Sequence, residues 1–397
     1  MIKKLILLLF FIHHSATVFS QKQTLFIDTN YNTSLTLSKV EKKPMVIFFY
    51  APWCPHCNKM KNEVFTDSTV TSFYRKNFVC VLIDATSSYG KELKAKFQNT
   101  FKVGSFPTFA FLDSNENLLY CAVGELKKEA FLSEGNNVLL PENQLPYLKN
   151  SFNNDPSNSD KCLKYITSVR KAGLDATSIT QKYFSTKTES ERFTEPNWKV
   201  FSNGINNFDC DEFKFVIKNK EAFYKVVSPT RVDKKIIYTV SENLRPLVEA
   251  LDTINYDNKR LIAKSFNMQQ LDSLLYRFDI QILSGTSNWK KYQKITSDNV
   301  EKFSWNDTVL LYDICNTYLH DINDKNGLLQ AINWGKYLLS KGESIDKYVL
   351  MSQLFTKVKD YKQAQEFAQK GKIFATNLKF KSDQFDLLLE ETKKHIK

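Results

Sequence analysis

The stretch FFYAPWCPHCNKM, residues 48–60, contains two cysteines that are separated by two residues. It continues an apolar run, residues 44–51, whose β-branched and aromatic content predicts a strand buried on both faces. A helix is expected to begin at the cysteines, and its N-terminal amides and dipole favour a negative charge on the sulfur of Cys54. The i, i+3 spacing brings Cys57 within reach of that sulfur. The pattern therefore favours a reversible dithiol in which Cys54 is the attacking sulfur.

Other roles for the pair are weighed against the dithiol. A structural disulfide across so short a loop would remove little entropy from the unfolded chain. A zinc site would need a second Cys-x-x-Cys or a Cys/His pair, and the sequence contains none, so no metal site is predicted. Haem attachment needs a histidine after the second cysteine, where Asn58 stands instead. A copper-handling dithiol remains an open alternative.

The flanking sequence predicts an α/β domain at residues 22–138. A second apolar run at 78–85 is expected to form another buried strand, and the segment 57–74 between the two runs has loosely helical spacing. This strand–helix–strand order is a βαβ unit. A short helix at 91–98 and a pair of strands around the polar residues 114–117 complete the predicted sheet.

The sequence changes character after about residue 138. Residues 139–160 contain three prolines with many Asn and Ser, which indicates a linker with room for one short helix. Residues 161–397 show amphipathic helical stretches and almost no strand pattern, so an all-helical domain is expected. Near the end, small residues recur at a spacing of 33 and resemble tetratricopeptide repeats, with a plain helical bundle as the alternative.

Composition narrows the class of partner. The 397 residues are 42% hydrophobic and 25% charged, as in ordinary globular proteins. The net charge of +12 is spread among acidic residues without a basic block, and no nucleic-acid motif is present, so no nucleic-acid partner is expected. The seven cysteines cannot all pair within one chain, and five of them follow no framework spacing: Cys80, Cys121, Cys162, Cys210 and Cys315.

Residues 1–20 have the pattern of a secretory signal peptide. Two lysines precede a short apolar core, and small residues precede Gln21, the expected start of the mature chain. An uncleaved N-terminal anchor is the alternative. The sequence predicts a secreted protein without a transmembrane segment after cleavage, which would be periplasmic in a Gram-negative bacterium.

The cysteine motif and a second motif together resemble the thioredoxin superfamily. The second motif is VGSFPT, residues 103–108, about fifty residues after APWCPHC. The resemblance covers residues 24–138 and implies a central mixed sheet flanked by helices. It also implies that Pro107 has a cis peptide bond, faces the dithiol and, with Phe106, holds an extended substrate segment.

The resemblance assigns further roles to the residues around the dithiol. Cys54 would be the nucleophile and Cys57 the resolving cysteine of a redox disulfide, with Trp53 flanking the active surface. Pro55 and His56 would tune the potential, since a cationic histidine stabilises the thiolate and makes the disulfide more oxidising. Phe48 departs from the family, which has a buried aspartate there, so the proton of Cys57 needs another acceptor.

The sequence thus predicts an exported thiol–disulfide oxidoreductase that needs no cofactor. Its partners would be protein thiols or disulfides and a membrane-bound or soluble recycling protein, and the helical domain would recruit them. The direction of electron flow stays open between reductase, isomerase and oxidase. The alternative is a partner-binding helical scaffold whose thioredoxin-like domain is regulatory or binds copper.

Overall fold

In the computed structural model of this protein, residues 25–26 and 30–396 are described. The predicted signal peptide, residues 1–20, lies outside the described residues. Among the described residues, no helix combines the length and the apolar character that a membrane crossing requires.

A four-stranded mixed sheet lies at the centre of the N-terminal region. Its strands are β1 (Met45–Tyr50), β2 (Val79–Asp84), β3 (Thr108–Leu112) and β4 (Leu118–Val123). Their order is β2-β1-β3-β4, with β1 parallel to β2 and the other two neighbouring pairs antiparallel. A parallel pair needs a long crossover, which helices supply between β1 and β2, whereas a tight turn suffices between β3 and β4.

Helices cover both faces of this sheet. They are α1 (Tyr31–Glu41), α2 (Pro55–Lys59), α3 (Ser68–Asn77), α4 (Ser88–Phe97) and α5 (Lys128–Leu139). Side chains of β1 alternate between two cores: Val46 and Phe48 pack with residues of α2, α3 and α5, while Ile47 and Phe49 pack with residues of α1 and α4. Strand β1 is therefore apolar on both sides, as its sequence predicts.

The helix that carries the dithiol is shorter than the sequence suggests. One helix is predicted from residue 57 to about 74, but α2 passes into a π-helical turn, Met60–Val64, and α3 begins separately. The break follows from a new N-cap, because the Asp67 carboxylate accepts hydrogen bonds from the amides of Thr69 (2.9 Å) and Val70 (3.2 Å).

The sheet belongs to a compact unit that continues to Asn206. Its later helices are α6 (Leu145–Asn154), α7 (Ser159–Lys171), α8 (Thr177–Phe184) and α9 (Glu195–Gly204). Just after α7, Ala172 is buried in the core that also contains Ile47, and its carbonyl accepts a hydrogen bond from the amide of Lys102 at 2.7 Å. Helical residues beyond 160 thus pack on the sheet domain, while the boundaries at 138 and 160 stay predictions.

The second compact unit, Asn207–Lys397, is helical throughout its described part. Its helices are α10 (Asp211–Lys218), α11 (Lys220–Val226), α12 (Pro229–Glu249), α13 (Thr253–Ser265), α14 (Gln269–Gly285), α15 (Trp289–Phe303), α16 (Thr308–Asp321), α17 (Lys325–Ser340), α18 (Ile345–Lys357), α19 (Tyr361–Asn377) and α20 (Asp383–Lys393). The predicted fold class, a thioredoxin-like α/β domain followed by a helical region, is confirmed. The tetratricopeptide-like repeat stays a prediction.

Candidate functional site

Cys54 is the N-cap residue of α2. Its backbone is extended (φ −77°, ψ 115°), and the helix begins at Pro55, whose fixed φ and missing N–H suit the first helical position. The Cys54 Sγ accepts a hydrogen bond from the amide of Cys57 at 3.4 Å. A cysteine sulfur thus occupies the place where helix N-termini ordinarily hold a capping oxygen.

Cys57 lies behind Cys54 and is completely buried. Both residues are free thiols in the structure. Burial, and next the hydrogen bond with Cys54, raise the pKa of the Cys57 thiol to about 11. The two cysteines therefore lie close together in one apolar core, in which Cys57 has no exposed surface and Cys54 is 4% exposed.

The peptide bond between Phe106 and Pro107 is cis, as the second motif predicts. The Cys54 thiol donates to the carbonyl oxygen of Phe106, with Sγ and oxygen 3.7 Å apart. The fold thus brings the two motifs together, although they lie about fifty residues apart in sequence.

An aromatic pair borders the dithiol. The side chain of Trp53 is 72% exposed, and its ring lies edge-to-face with that of Phe106 at a centroid distance of 6.0 Å. A large exposed apolar side chain beside a reactive sulfur offers contact area to a substrate chain.

The exposed His56 contacts an acidic residue that the sequence analysis missed. Its Nδ1 lies 2.7 Å from a carboxylate oxygen of Glu125, just after β4, and the other oxygen lies 2.6 Å from Lys59 Nζ. The hydrogen bond from Lys59, and next that from His56, hold the pKa of the Glu125 carboxyl below its usual range. No spacing rule joins Glu125 to the cysteine motif, because folding alone brings the end of β4 to α2.

Phe48 contributes an apolar ring to the core that also contains Cys54 and Cys57. It is fully buried and packs against Phe65 (4.9 Å between ring centroids) and Phe109 (5.0 Å). The departure from the family that the sequence shows at this position is thus part of an aromatic core.

The five other cysteines lie apart from this site. Cys80 and Cys121 are buried in β2 and β4, and Cys162 and Cys315 are buried in α7 and α16. Cys210 is the N-cap of α10 and is partly exposed. Burial raises the pKa of all five, to about 12 for Cys121, Cys162 and Cys315.

Metal ligands are not grouped in the described part of the chain. No cluster of three or more His, Cys, Asp or Glu side chains that could hold a metal ion occurs there. The groups around the dithiol include the imidazole of His56, the carboxylate of Glu125 and the backbone carbonyl of Phe106. Such a site can exchange a disulfide between its own sulfurs and those of another molecule.

Comparison with known proteins places the similarity in the sheet domain. The family model of the thioredoxin-like domain matches residues 31–139. The chloroplastic thioredoxin-like protein HCF164 of Oryza sativa subsp. japonica is 38% identical over 92 residues, which are 23% of this chain and 32% of that protein. The thiol:disulfide interchange protein DsbD of Vibrio vulnificus (strain CMCP6) is 31% identical over 83 residues, which are 21% of this chain and 14% of that protein.

A solved thioredoxin structure from Thermus thermophilus is 23% identical and covers 29% of this chain and 88% of its own, with a TM-score of 0.26. The matches span about a third or less of the length of these curated relatives. The family match encloses the mixed sheet, the Cys54–Cys57 helix and the cis-proline loop. Residues 31–139 of this chain therefore form a domain of the thioredoxin superfamily.

Proposed function

We propose that this protein is an exported thiol–disulfide oxidoreductase that exchanges disulfides with protein substrates. One observation carries the proposal. The Cys54 sulfur caps a helix, accepts the amide of Cys57 at 3.4 Å and lies 3.7 Å from the Phe106 carbonyl that precedes the cis-proline. A site that had lost its redox activity would have no need to keep all three features.

The reaction runs through a mixed disulfide. In the reducing direction the Cys54 thiolate attacks one sulfur of a substrate disulfide, the substrate S–S bond breaks, and the second substrate sulfur leaves as a thiolate that takes up a proton. Cys57 then attacks Cys54, which releases the first substrate sulfur and forms the Cys54–Cys57 disulfide. In the oxidising direction the same steps run backwards.

Substrate binding is proposed for the rim of the dithiol. Phe106 and Pro107 would hold an extended segment beside Cys54, and Trp53 would cover its apolar side chains. Pro55 and His56 would tune the potential, with Glu125 holding the imidazole in place. No cofactor is required, since the electrons pass between sulfurs.

The helical region is proposed to recruit the substrate protein or the recycling partner.

Export is proposed from the pattern of residues 1–20, and the relatives named above are consistent with work in an exported or organellar compartment. Fractionation of cells that make the full chain tests this, and retention of residues 1–20 in a cytosolic product contradicts it.

The direction of electron flow depends on the potential of the Cys54–Cys57 couple. A value of about −200 to −270 mV would favour reduction of substrates, and one of about −120 mV would favour oxidation. Equilibration of the full chain with glutathione or dithiothreitol buffers gives this value.

The direct test is reduction of insulin by the full chain and two variants. Cys54→Ser should abolish turnover. Cys210→Ser is the control, because Cys210 is also an N-cap residue, but its side chain makes no capping hydrogen bond and no cysteine follows three residues later. We expect Cys210→Ser to retain full activity. Turnover at the wild-type rate by Cys54→Ser would remove the dithiol from the mechanism.

A further inference from the structure

In the resolving step Cys57 attacks Cys54, which requires a Cys57 thiolate, although the surroundings of the Cys57 sulfur disfavour a negative charge. Cys57 is completely buried, and its pKa is raised to about 11, first by burial. At pH 7 a thiol whose pKa is raised in this way is almost entirely protonated. The core around it contains the aromatic rings of Phe48 and Phe65. A positive charge near the sulfur would lower the cost of the thiolate.

Lys61 is placed to supply that charge. It follows Cys57 by four residues along α2 and the π-helical turn, a spacing that puts two side chains on the same face of a helix. The helix is continuous there, since the amide of Met60 bonds to the carbonyl oxygen of Cys57. The Lys61 side chain turns inward: its Nζ lies 3.1 Å from the centroid of the Tyr50 ring, at the end of β1.

The ring that Lys61 contacts lies beside an acidic residue of the neighbouring strand. Tyr50 pairs in register with Asp84, the last residue of β2. The Asp84 carboxylate is fixed by hydrogen bonds from the amide (2.8 Å) and the hydroxyl (2.6 Å) of Thr86.

Three titratable groups face Lys61: Cys57 on its own helix, Tyr50 on β1 and Asp84 on β2. Burial lowers the pKa of Lys61, whereas the charges of Cys57 and Asp84 raise it. The interaction is mutual, because Lys61 in turn lowers the pKa of Cys57. The phenol of Tyr50 has a pKa raised by burial and by Asp84, so it stays neutral at physiological pH.

We propose that Lys61 is the cation that stabilises the Cys57 thiolate during the resolving step, held over Tyr50 and balanced by Asp84. The proposal rests on the dithiol function proposed above. In that step the S–S bond between Cys54 and the substrate breaks and the Cys54–Cys57 bond forms. The proton that leaves Cys57 passes through water to the departing substrate thiolate, so atoms and charge balance. Lys61 itself forms and breaks no covalent bond in this step.

The titration of Cys57 tests the proposal without turnover. In the full chain with Cys54→Ser, the pH dependence of alkylation at Cys57 is measured by peptide mass spectrometry. Lys61→Met keeps most of the length of the side chain and removes its charge. We expect the apparent pKa of Cys57 to rise by about one unit, which is a tenfold fall in alkylation rate at pH 9. Lys61→Arg should restore most of the rate, because it returns a positive charge.

The matched control is Lys59→Met in the same background. Lys59 lies on the same helix, but its ammonium is half exposed and paired with Glu125. We expect no change in the titration of Cys57. An unchanged pKa in Lys61→Met, or an equal rise in Lys59→Met, would overturn the proposal.

A second measurement covers the case in which Lys61→Met disturbs the fold. With Cys54 present, Lys61→Arg and Lys61→Gln are mixed with a disulfide substrate and quenched with acid. We expect the mixed disulfide to accumulate in Lys61→Gln and not in Lys61→Arg, with equal alkylation of Cys54 in both. Equal accumulation in the two variants would overturn the proposal. Failure of the proposed function would appear differently, as absence of any mixed disulfide in a Cys57→Ser variant, in which the resolving step cannot occur.

Discussion

The seven cysteines of this chain differ in position more than in exposure, since all but Cys210 are buried. Burial raises the pKa of six of them, Cys57 to about 11 and three others to about 12. Cys54 stands apart by position, since its sulfur caps α2 and accepts the Cys57 amide. Reactivity toward electrophiles should follow the thiolate fraction.

We therefore expect iodoacetamide to label Cys54 of the reduced protein first at pH 6. The thiolate forms of the other six cysteines are especially scarce at that pH because burial raises their pKa values. As the pH increases toward 11, Cys57 should follow, since the thiolate form becomes populated as pH approaches the pKa. Peptide mass spectrometry at several pH values measures the order. Labelling of Cys80 or Cys121 at the rate of Cys54 would contradict both the burial and the pKa argument.

The pair of His56 and Glu125 leads to a prediction about the potential. His56→Ala should make the disulfide harder to reduce, because a group that can stabilise the thiolate is lost. Glu125→Gln should shift the potential in the same direction by a smaller amount, because the carboxylate 2.7 Å from the imidazole no longer holds the ring in place. A shift of about 30 mV corresponds to about 1.4 kcal/mol. Equilibration with glutathione buffers measures both variants.

Glu92→Gln is the charge-matched control for Glu125→Gln, since Glu92 is an exposed glutamate of α4. It should leave the potential unchanged. If His56→Ala shifts the potential to more oxidising values, the histidine acts on Glu125 rather than on the dithiol.

The sequence predicts some of these residues and not others, for a physical reason. Cys54, Cys57 and Pro107 stand in short motifs, and the residue types and spacing within each motif indicate its chemical role. Glu125 lies 69 residues from His56, and only the sheet brings them together. Lys61 could have been found from its i, i+4 spacing to Cys57, but the inward turn of its side chain depends on Tyr50 and Asp84.

At the scale of elements, two helical glycines test how tightly the C-terminal helices pack. A Cβ on Gly371 in α19 would lie 2.3 Å from a ring carbon of Phe385 and 2.7 Å from the Cβ of Tyr348. A Cβ on Gly335 in α17 would lie 2.3 Å from the Met351 sulfur, the flexible end of a side chain that can move.

We expect Gly371→Ala to lower the free energy of unfolding and Gly335→Ala to leave it unchanged or raise it. Alanine gains about 1 kcal/mol over glycine within a helix. Overpacking a core costs about 1–3 kcal/mol, and it prevails where an aromatic ring and a backbone-near carbon block the space. The urea midpoint of the helical circular dichroism signal measures both variants. Equal stabilisation by the two substitutions would mean that the helices separate easily and that neither glycine is needed for packing.

The strands are predicted better than the helices. Burial on both faces gives β1 and β2 nearly continuous apolar runs, which few other structures produce. The break between the π-helical turn and α3 depends on one N-cap residue, Asp67. The residues on both sides of it have a helix-forming composition, so the sequence pattern does not show the break. An amphipathic helix shows which of its faces is buried but not against what, so the packing of the residues after α7 on the sheet domain could not be predicted.

At the scale of the whole chain, the first compact unit extends well beyond the family match. The match ends at residue 139, and the unit ends at Asn206. Lys171 of α7 donates to the hydroxyl of Tyr120 at 2.8 Å, and that hydroxyl donates to Glu134 of α5. Removal of one partner from this partly buried network leaves the other polar groups without a hydrogen-bond partner.

Two truncations with the same start separate folding from recruitment. We expect residues 22–138 to fold, since the sheet has core on both faces, but to be less stable than residues 22–206. The shorter fragment loses the buried Ala172 and the apolar contacts of Leu145 and Leu174, which together amount to a few kcal/mol. Thermal unfolding followed by circular dichroism compares the fragments. Equal midpoints would mean that the later helices of the first unit only cover the surface.

Residues 22–206 should reduce a small disulfide as fast as the full chain, because every group proposed for the exchange lies within them. Recruitment is proposed for the helical domain, residues 161–397, most of which lies after residue 206, so the same fragment should lose most of its ability to trap native partners. The test uses Cys57→Ser, which halts the reaction at the mixed disulfide, in the full chain and in residues 22–206. Recovered mixed disulfides are counted by mass spectrometry against a Cys54→Ser, Cys57→Ser double variant. A large fall in yield, with reduction of the small disulfide unchanged, supports recruitment by the helical unit. If the fragment traps the same partners at the same yield, docking occurs on the thioredoxin-like domain itself and the helical unit has another task.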